Sequence, residues 1–291
     1  MFQYMAGYAL SRETGKKLFV NQNWFFNPWF LHKNNAAYLS KRKMDSLQFS
    51  TVLNTQRDHS PTPRDGRFER GVAKLTEKQR RSLGIASEES FASGEWSDSD
   101  GINRLVGFFM SPQYFLNLNP ADLFKGLAAP LSSWTSDFLR VLNSQRSIGV
   151  HIRLGDYIFL GDKVIPQEDY FLSGIGLLKA KMGPSTKVFF FTDEPLKVEQ
   201  LFPRLVNLGE LVSPPLYTTP VENLILLSKC DGFVCSNSTF SWWAATLSSA
   251  PAEWIVRPSY FFTEMPDIDT QVGLWQPNSY KVHPIQGKLV K

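Results

Sequence analysis

Ser147-Ile148-Gly149-Val150-His151-Ile152-Arg153-Leu154-Gly155-Asp156-Tyr157 has the pattern of a β-strand running into a turn. Ile148, Val150 and Ile152 recur at period two on one face, while His151 and Arg153 share the other. Gly155 lets the chain turn, and Asp156 follows. Nothing in strand packing demands a histidine, an arginine and an aspartate at a carboxyl end. In open α/β sheets that end is where ligands bind, so His151, Arg153 and Asp156 are candidate site residues.

Outward from this strand, the second half of the chain alternates. A strand at 147–153 is followed by a helix at 167–182 and a strand at 187–192. A short helix follows Pro195, and a weak strand surrounds Val206. A helix runs from Pro220 to Cys230, a strand spans 232–235, a helix spans 239–249, and a last strand lies at 253–257. Alternation with Gly and Pro punctuation predicts an α/β, doubly wound parallel sheet. The polar run Asn143-Ser144-Gln145-Arg146 marks a boundary between domains at 1–145 and 146–291, and the length suits two domains.

The first half is less legible. Phe2, Met5, Ala6, Ala9 and Leu10 share a helical face, with Gly15 placed for a C-cap. A short strand is expected at 17–20, a strand at 105–110 and a helix near 132–142. The aromatic run 21–30 reads as a packed loop or as a sugar platform. Residues 54–101 turn polar, an insertion or long excursion, in which Lys78-Gln79-Arg80-Arg81 reads as a solvated helix face. An α/β domain seldom opens on a helix that lacks its strand, so a segment upstream of Met1 is expected.

Composition narrows the function. A net charge of +4, from 31 basic and 27 acidic residues, is too mild for a nucleic-acid partner, and no basic stripe with interleaved aromatics occurs. Only two cysteines are present, Cys230 and Cys235, which argues against a disulfide framework and reads as two small buried hydrophobes. His32, His59, His151 and His283 are scattered without zinc spacing. Asp98-Ser99-Asp100 has the pattern with which some sugar-nucleotide transferases hold a divalent cation. Here it sits among Gly and Ser and reads as a polar turn. No apolar run reaches the ~18 residues of a membrane span, and no signal peptide is visible.

Three strand ends carry polar residues at the same relative place. The first is His151, Arg153 and Asp156. The second is the buried strand Val188-Phe189-Phe190-Phe191 ending in Thr192-Asp193. The third is Cys235-Ser236-Asn237-Ser238-Thr239-Phe240, where a strand breaks into hydroxyl and amide residues as a helix begins. A helix start presents unpaired N–H groups and favours an anion, and Ser238 also suits a plain N-cap. The planar fork of Arg153 suits a phosphate. Asp193, Glu222 or Asn223 could accept hydrogen bonds from a base or ribose. Together they describe a nucleotide-diphosphate site without a glycine-rich P-loop.

His-x-Arg-x-Gly-Asp at 151–156, Thr192-Asp193, and Asn237-Ser238-Thr239-Phe240-Ser241-Trp242-Trp243-Ala244-Ala245 resemble the α-1,2-fucosyltransferases, glycosyltransferase family 11. Met1-Phe2-Gln3-Tyr4 and Gly107-Phe108-Phe109-Met110-Ser111 resemble two further motifs of that family. The resemblance implies a GT-B architecture of two Rossmann-like domains facing a cleft. GDP-fucose would bind the carboxyl-terminal domain, and a galactose-terminated glycan would approach from the amino-terminal one. It implies inverting transfer of L-fucose to the galactoside 2-hydroxyl, with no metal or other cofactor. Lys229-x-Asp231, with Val234-Cys235 and Ser238, is similar, more distantly, to the α-1,6-fucosyltransferases. Those imply His151 toward the guanine, Arg153 toward the diphosphate, and Ser238 and Thr239 toward the phosphates. Asn237 and Phe240 belong to the same donor-binding run.

Three departures stand beside this resemblance. Leu154 occupies the place of a second family arginine, and Asn223 that of an aspartate. The glycine-rich segment that precedes Met-Phe-Gln-Tyr in the family is not in the sequence, which therefore reads as amino-terminally truncated. They keep open a binding relic without catalysis, or transfer to another acceptor. Asp156 reads as the catalytic base or as the residue that orients Arg153. A bacterial protein would be cytoplasmic or peripherally membrane-associated; a eukaryotic one would carry a Golgi anchor upstream.

Overall fold

The computed structural model describes residues 1–19, 74–87, 101–107, 109–125, 131–159, 165–260 and 273–290. The aromatic run 21–30, Asp98-Ser99-Asp100, and most of the polar stretch 54–101 lie outside them. The chain divides into two compact units, Met1–Leu127 with Val272–Leu274, and Ala128–Gln271 with Trp275–Lys291.

In the first unit, α1 (Phe2–Thr14) buries Phe2, Met5, Ala6, Gly7 and Leu10 and ends at Gly15. Gly15 has φ 66°, a left-handed C-cap that glycine adopts without a Cβ clash. Lys17–Phe19 form no strand. Val20, the last residue of the expected strand, lies outside the described residues. α2 (Glu77–Ser82) starts in a capping box of Thr76 and Gln79 and exposes Lys78, Gln79 and Arg81, while Arg80 of the expected solvated face is half-buried. β1 (Ile85–Ser87) pairs in parallel with β2 (Arg104–Val106). The strand expected to reach residue 110 stops at Val106 because Gly107 (φ 153°) and Phe109 (φ 53°) leave the extended region. Gln3 Nε2 donates to the Gly107 carbonyl at 2.7 Å, so two sequence-distant motifs meet within this unit. α3 (Pro120–Lys125) follows.

The second unit begins with α4 (Ser133–Asn143), which the sequence reading had placed before the domain boundary. It packs within this unit because the Phe138 ring meets Phe189 edge-on at 5.5 Å and the Ser132 N–H donates to Glu222 at 2.7 Å. The sheet follows: β3 (Ser147–Ile152), β4 (Lys187–Thr192), β5 (Glu210–Leu211), β6 (Gly232–Val234), β7 (Ile255–Pro258), β8 (Tyr280–Val282) and β9 (Leu289–Val290). Its order is β5-β4-β3-β6-β7-β8-β9, parallel except for the β8–β9 pair. Counted from β3, the parallel strands run 3-2-1-4-5-6, the Rossmann order. The fold class is therefore the expected α/β.

Between the strands lie α5 (Glu168–Met182), α6 (Pro195–Leu201), α7 (Pro220–Ser228) and α8 (Thr239–Leu247). One sheet face buries Ile148, Val150, Ile152, Val188, Phe190, Val234 and Val256 against Tyr170, Phe171, Ile175 and Leu178 of α5. Each such side chain contributes about 1.5–3 kcal/mol. On the other face Gly149 admits the end of α7: a Cβ there would lie 2.6 Å from Leu227 Cδ1 and 2.9 Å from Cys230 Sγ. Cys230 and Cys235 are both free and buried, and burial pushes the Cys230 thiol up to about 12. The strand expected around Val206 forms instead at Glu210–Leu211, since only there does the chain pair with Phe189 and Phe190. β8 and β9 extend the sheet past β7, which the sequence reading took as last. Both are too short to show a period.

Candidate functional site

The site assembles where the strand order reverses. From β3 the chain winds one way through β4 to β5, then returns to lay β6 on the other side of β3. The carboxyl ends of β3 and β6 thus become neighbours at the place where open α/β sheets bind ligands. Val150 pairs with Val234 and Ile152 with Thr192, so the residues after all three strands share one sheet edge.

Arg153 stands at the centre of this edge. Its N–H donates to Ser236 Oγ at 3.0 Å, beyond β6. Its Nη1 lies 2.6 Å from Asp193 Oδ2, beyond β4, with the two side chains 21 % and 19 % exposed. Asp193 Oδ1 accepts the Leu154 N–H at 3.1 Å. The Arg153 guanidinium also lies over the Tyr157 ring at 5.6 Å. Asp193, expected to face a base or ribose, here directs both carboxylate oxygens to the β3 exit. Asp156 is described by its backbone alone, within the 3₁₀ turn Gly155–Phe159.

His151 is buried and stacks on Phe240, ring centroids 5.1 Å apart at 30°. Its Nδ1 has no hydrogen-bond partner among the described residues. Burial, followed by the nearby Arg153 charge, lowers the imidazole to about 3. It is therefore neutral at physiological pH, able to offer a hydrogen bond but poorly suited to carry a proton.

The segment 236–240 turns β6 into α8. Ser236, Asn237 and Ser238 are buried, Thr239 is exposed and Phe240 is half-buried. Ser238 is the N-cap, its Oγ accepting the Phe240 N–H at 3.2 Å. The Ser236 carbonyl accepts from the Ser238 N–H at 2.8 Å and from Ser241 Oγ at 3.1 Å. Tyr170 of α5 donates its hydroxyl to the Cys235 carbonyl at 2.5 Å, fixing the last residue before the turn. A rigid helix start and a fixed guanidinium thus stand on one edge, an arrangement suited to a negatively charged group.

Glu222 and Asn223 open α7. Glu222 is buried and completes a capping box with Thr219, whose N–H it accepts at 2.8 Å, while its other oxygen accepts the Ser132 N–H at 2.7 Å. Burial alone would raise the carboxyl. The N–H groups of Thr219 and Ser132 and the hydroxyls of Ser132 and Thr135 outweigh it and bring it down to about 2. The hydrogen bonds of Glu222 thus join α7 to α4. Asn223 is half-buried in the first turn of α7. Asp231, part of the more distant resemblance, accepts the Ser147 N–H at 2.8 Å at the opposite end of β3.

The sequence places Ser236 in the third polar strand end without a role, its only signal being its place as the first hydroxyl after an apolar strand. The sequence reading takes Leu154 as a lost cationic contact. Leu154 is fully buried in the sheet core beside Ile152 and Phe190, so its side chain is a core component. Among the described residues no three His, Cys, Asp or Glu side chains come together as a metal-holding group. No helix among them is long and apolar enough to cross a membrane.

A Rossmann-order sheet with an arginine and a helix start at its switch point has the layout in which open α/β sheets bind nucleotides. The sequence profile of Glycosyl transferase family 11 matches residues 103–261, more than half of the chain, and the chain belongs to this family. It is 25 % identical to an Alpha-1,2-colitosyltransferase of Escherichia coli, over 88 % of this chain and 89 % of that protein. It is 23 % identical to the O-antigen biosynthesis glycosyltransferase WbnK of Escherichia coli, over 90 % of this chain and 91 % of that protein. The protein is thus a glycosyltransferase, acting between a nucleotide-sugar donor and a glycan acceptor.

Proposed function

We propose that this glycosyltransferase moves L-fucose from GDP-fucose to the 2-hydroxyl of a galactoside, with inversion and without a metal. The observation that carries the donor reading is the meeting of Arg153 and the α8 start at the switch point between β3 and β6. Fucose and the 2-hydroxyl rest on the motif resemblance. The acceptor oxygen bonds to the anomeric carbon as the bond from that carbon to the diphosphate oxygen breaks. The hydroxyl proton leaves to a base, and GDP departs with the electron pair. Negative charge grows on the leaving phosphate, where Arg153 and the positive end of α8 at Thr239 act most strongly.

In this reading His151 offers a neutral hydrogen bond to the guanine, and Ser238 and Thr239 flank the phosphates. Asn237 shapes the turn that presents them. Asn223, and Glu222 through α7, support the base or ribose. Asp156 is the candidate base. The relative named for colitosyl transfer favours a second reading, in which the same site transfers a colitosyl group in α-1,2 linkage.

The test incubates the protein with GDP-fucose and a galactoside, with and without chelator, and reads product linkage and anomeric configuration by NMR. An inverted α-1,2-fucoside formed in chelator supports the proposal. GDP binding by calorimetry without transfer of either fucose or colitose indicates a binding relic. Transfer from activated colitose alone selects the second reading.

A further inference from the structure

Arg153 is held at two independent points, and the two holds come from different strands. From the β6 side, Ser236 Oγ accepts its main-chain N–H at 3.0 Å. Ser236 is fully buried and cannot drift, because its own carbonyl is tied to the Ser238 N–H and the Ser241 hydroxyl. From the β4 side, Asp193 reaches across with both oxygens. One pairs with the guanidinium at 2.6 Å, and the other accepts the Leu154 N–H at 3.1 Å. Leu154, the next residue, is sunk in the core and locks the backbone from below. A long arginine side chain loses considerable rotamer freedom when it is ordered. Here that ordering is completed by the protein itself.

We infer that Asp193, through the guanidinium, and Ser236, through the main chain, are positioning residues that hold Arg153 for an anionic leaving group. Asp193 then acts through Arg153 and not as an acceptor for base or ribose. The charge arrangement agrees: a carboxylate next to a diphosphate is repelled unless a cation is engaged with both. Ser236 couples the same arginine to the α8 cap, so the two anion-facing elements keep a fixed spacing. This inference rests on the proposed donor reading.

The test is a double-mutant cycle with two readouts, GDP affinity by calorimetry and kcat with GDP-fucose. Asp193→Ala lowers kcat on the order of 10²-fold, the scale of a misplaced reacting group, with the acceptor KM unchanged. Asp193→Asn keeps an oxygen for the Leu154 N–H and recovers part of that loss, and Ser236→Ala falls between them. Arg153→Ala with Asp193→Ala loses no more than Arg153→Ala alone. Losses that multiply in the double variant overturn the inference, because Asp193 then touches the donor itself. Asp193→Ala with unchanged GDP affinity and kcat also overturns it. If Asp193→Ala does not fold, Asp193→Asn takes its place in the cycle. Wild-type protein that neither binds GDP nor turns over GDP-fucose removes the donor reading first, an outcome visible before any variant is made.

Discussion

The imidazole of His151 lies against the ring of Phe240, 5.1 Å between centroids, and this contact joins the end of β3 to the first turn of α8. His151 is kept neutral there by burial and by Arg153, with its pKa near 3 against the ordinary 6.5. The unfolded chain takes up a proton below pH 6.5 that the folded chain refuses until about pH 3. His151 therefore contributes stability that is present above pH 6.5 and is lost as pH falls toward 3. A His151→Asn variant is expected to flatten the slope of unfolding free energy against pH between 6.5 and 4.5, measured by denaturant titration. An unchanged slope means that His151 titrates normally in the fold.

Glu222 extends the same acid sensitivity lower. Its carboxyl stands near 2 in the folded protein against an ordinary 4.5, so its stabilisation is complete above 4.5 and disappears as pH falls through 2. Glu222→Gln removes the charged acceptor shared by Thr219 and Ser132 and is expected to cost about 1–3 kcal/mol at pH 7. The cost should shrink toward zero at pH 2. A cost that is the same at both pH values contradicts this account.

Arg153→Ala is expected to lower kcat by ~10²–10³ while the far-UV spectrum and melting temperature stay close to wild type. Arg153→Lys should recover little, because an ammonium cannot keep the contact with Asp193 and also present a planar fork to a phosphate. Turnover near the wild-type level in Arg153→Ala would remove the arginine from the donor site.

Leu154→Arg places a cation where the family carries a second arginine, and on resemblance alone a gain in donor affinity would be expected. The buried position of Leu154 predicts otherwise. An unpaired charge forced into this core is expected to cost about 3–5 kcal/mol with no increase in GDP affinity. Chemical denaturation beside calorimetry reads both effects.

Gly149→Ala tests the close approach on the other sheet face. The added methyl group would meet Leu227 Cδ1 at 2.6 Å and Cys230 at 2.9 Å. A loss of about 1–3 kcal/mol is expected from overpacking, read as a lower denaturation midpoint at unchanged slope.

Much of the second unit was legible because its signals are local. Ile148, Val150 and Ile152 alternate, Pro220 opens α7, and Gly183 closes α5. In the first unit Gly15 marked the end of α1 correctly, whereas the strand at 105–110 was cut short by Gly107 and Phe109. β5, β8 and β9 escaped because two or three residues are too few to show a period, and β5 and β8 take their pairing from strands distant in sequence.

By itself, the sequence determined which residues stand at strand ends and helix starts, since periodicity, capping and turn chemistry act within a few residues. It marked His151, Arg153, Asp193 and Ser238 as chemically unusual for their places. Only the tertiary structure decided what each of them faces. The crossover from β5 back to β6 makes β3 and β6 neighbours, and this alone brings Ser236 to Arg153. Strand pairing sets Asp193 beside the same arginine, helix packing brings Glu222 to Ser132, and Leu154 sinks into the core. Those partners are about 40 to 90 residues apart along the chain, so no local pattern encodes them.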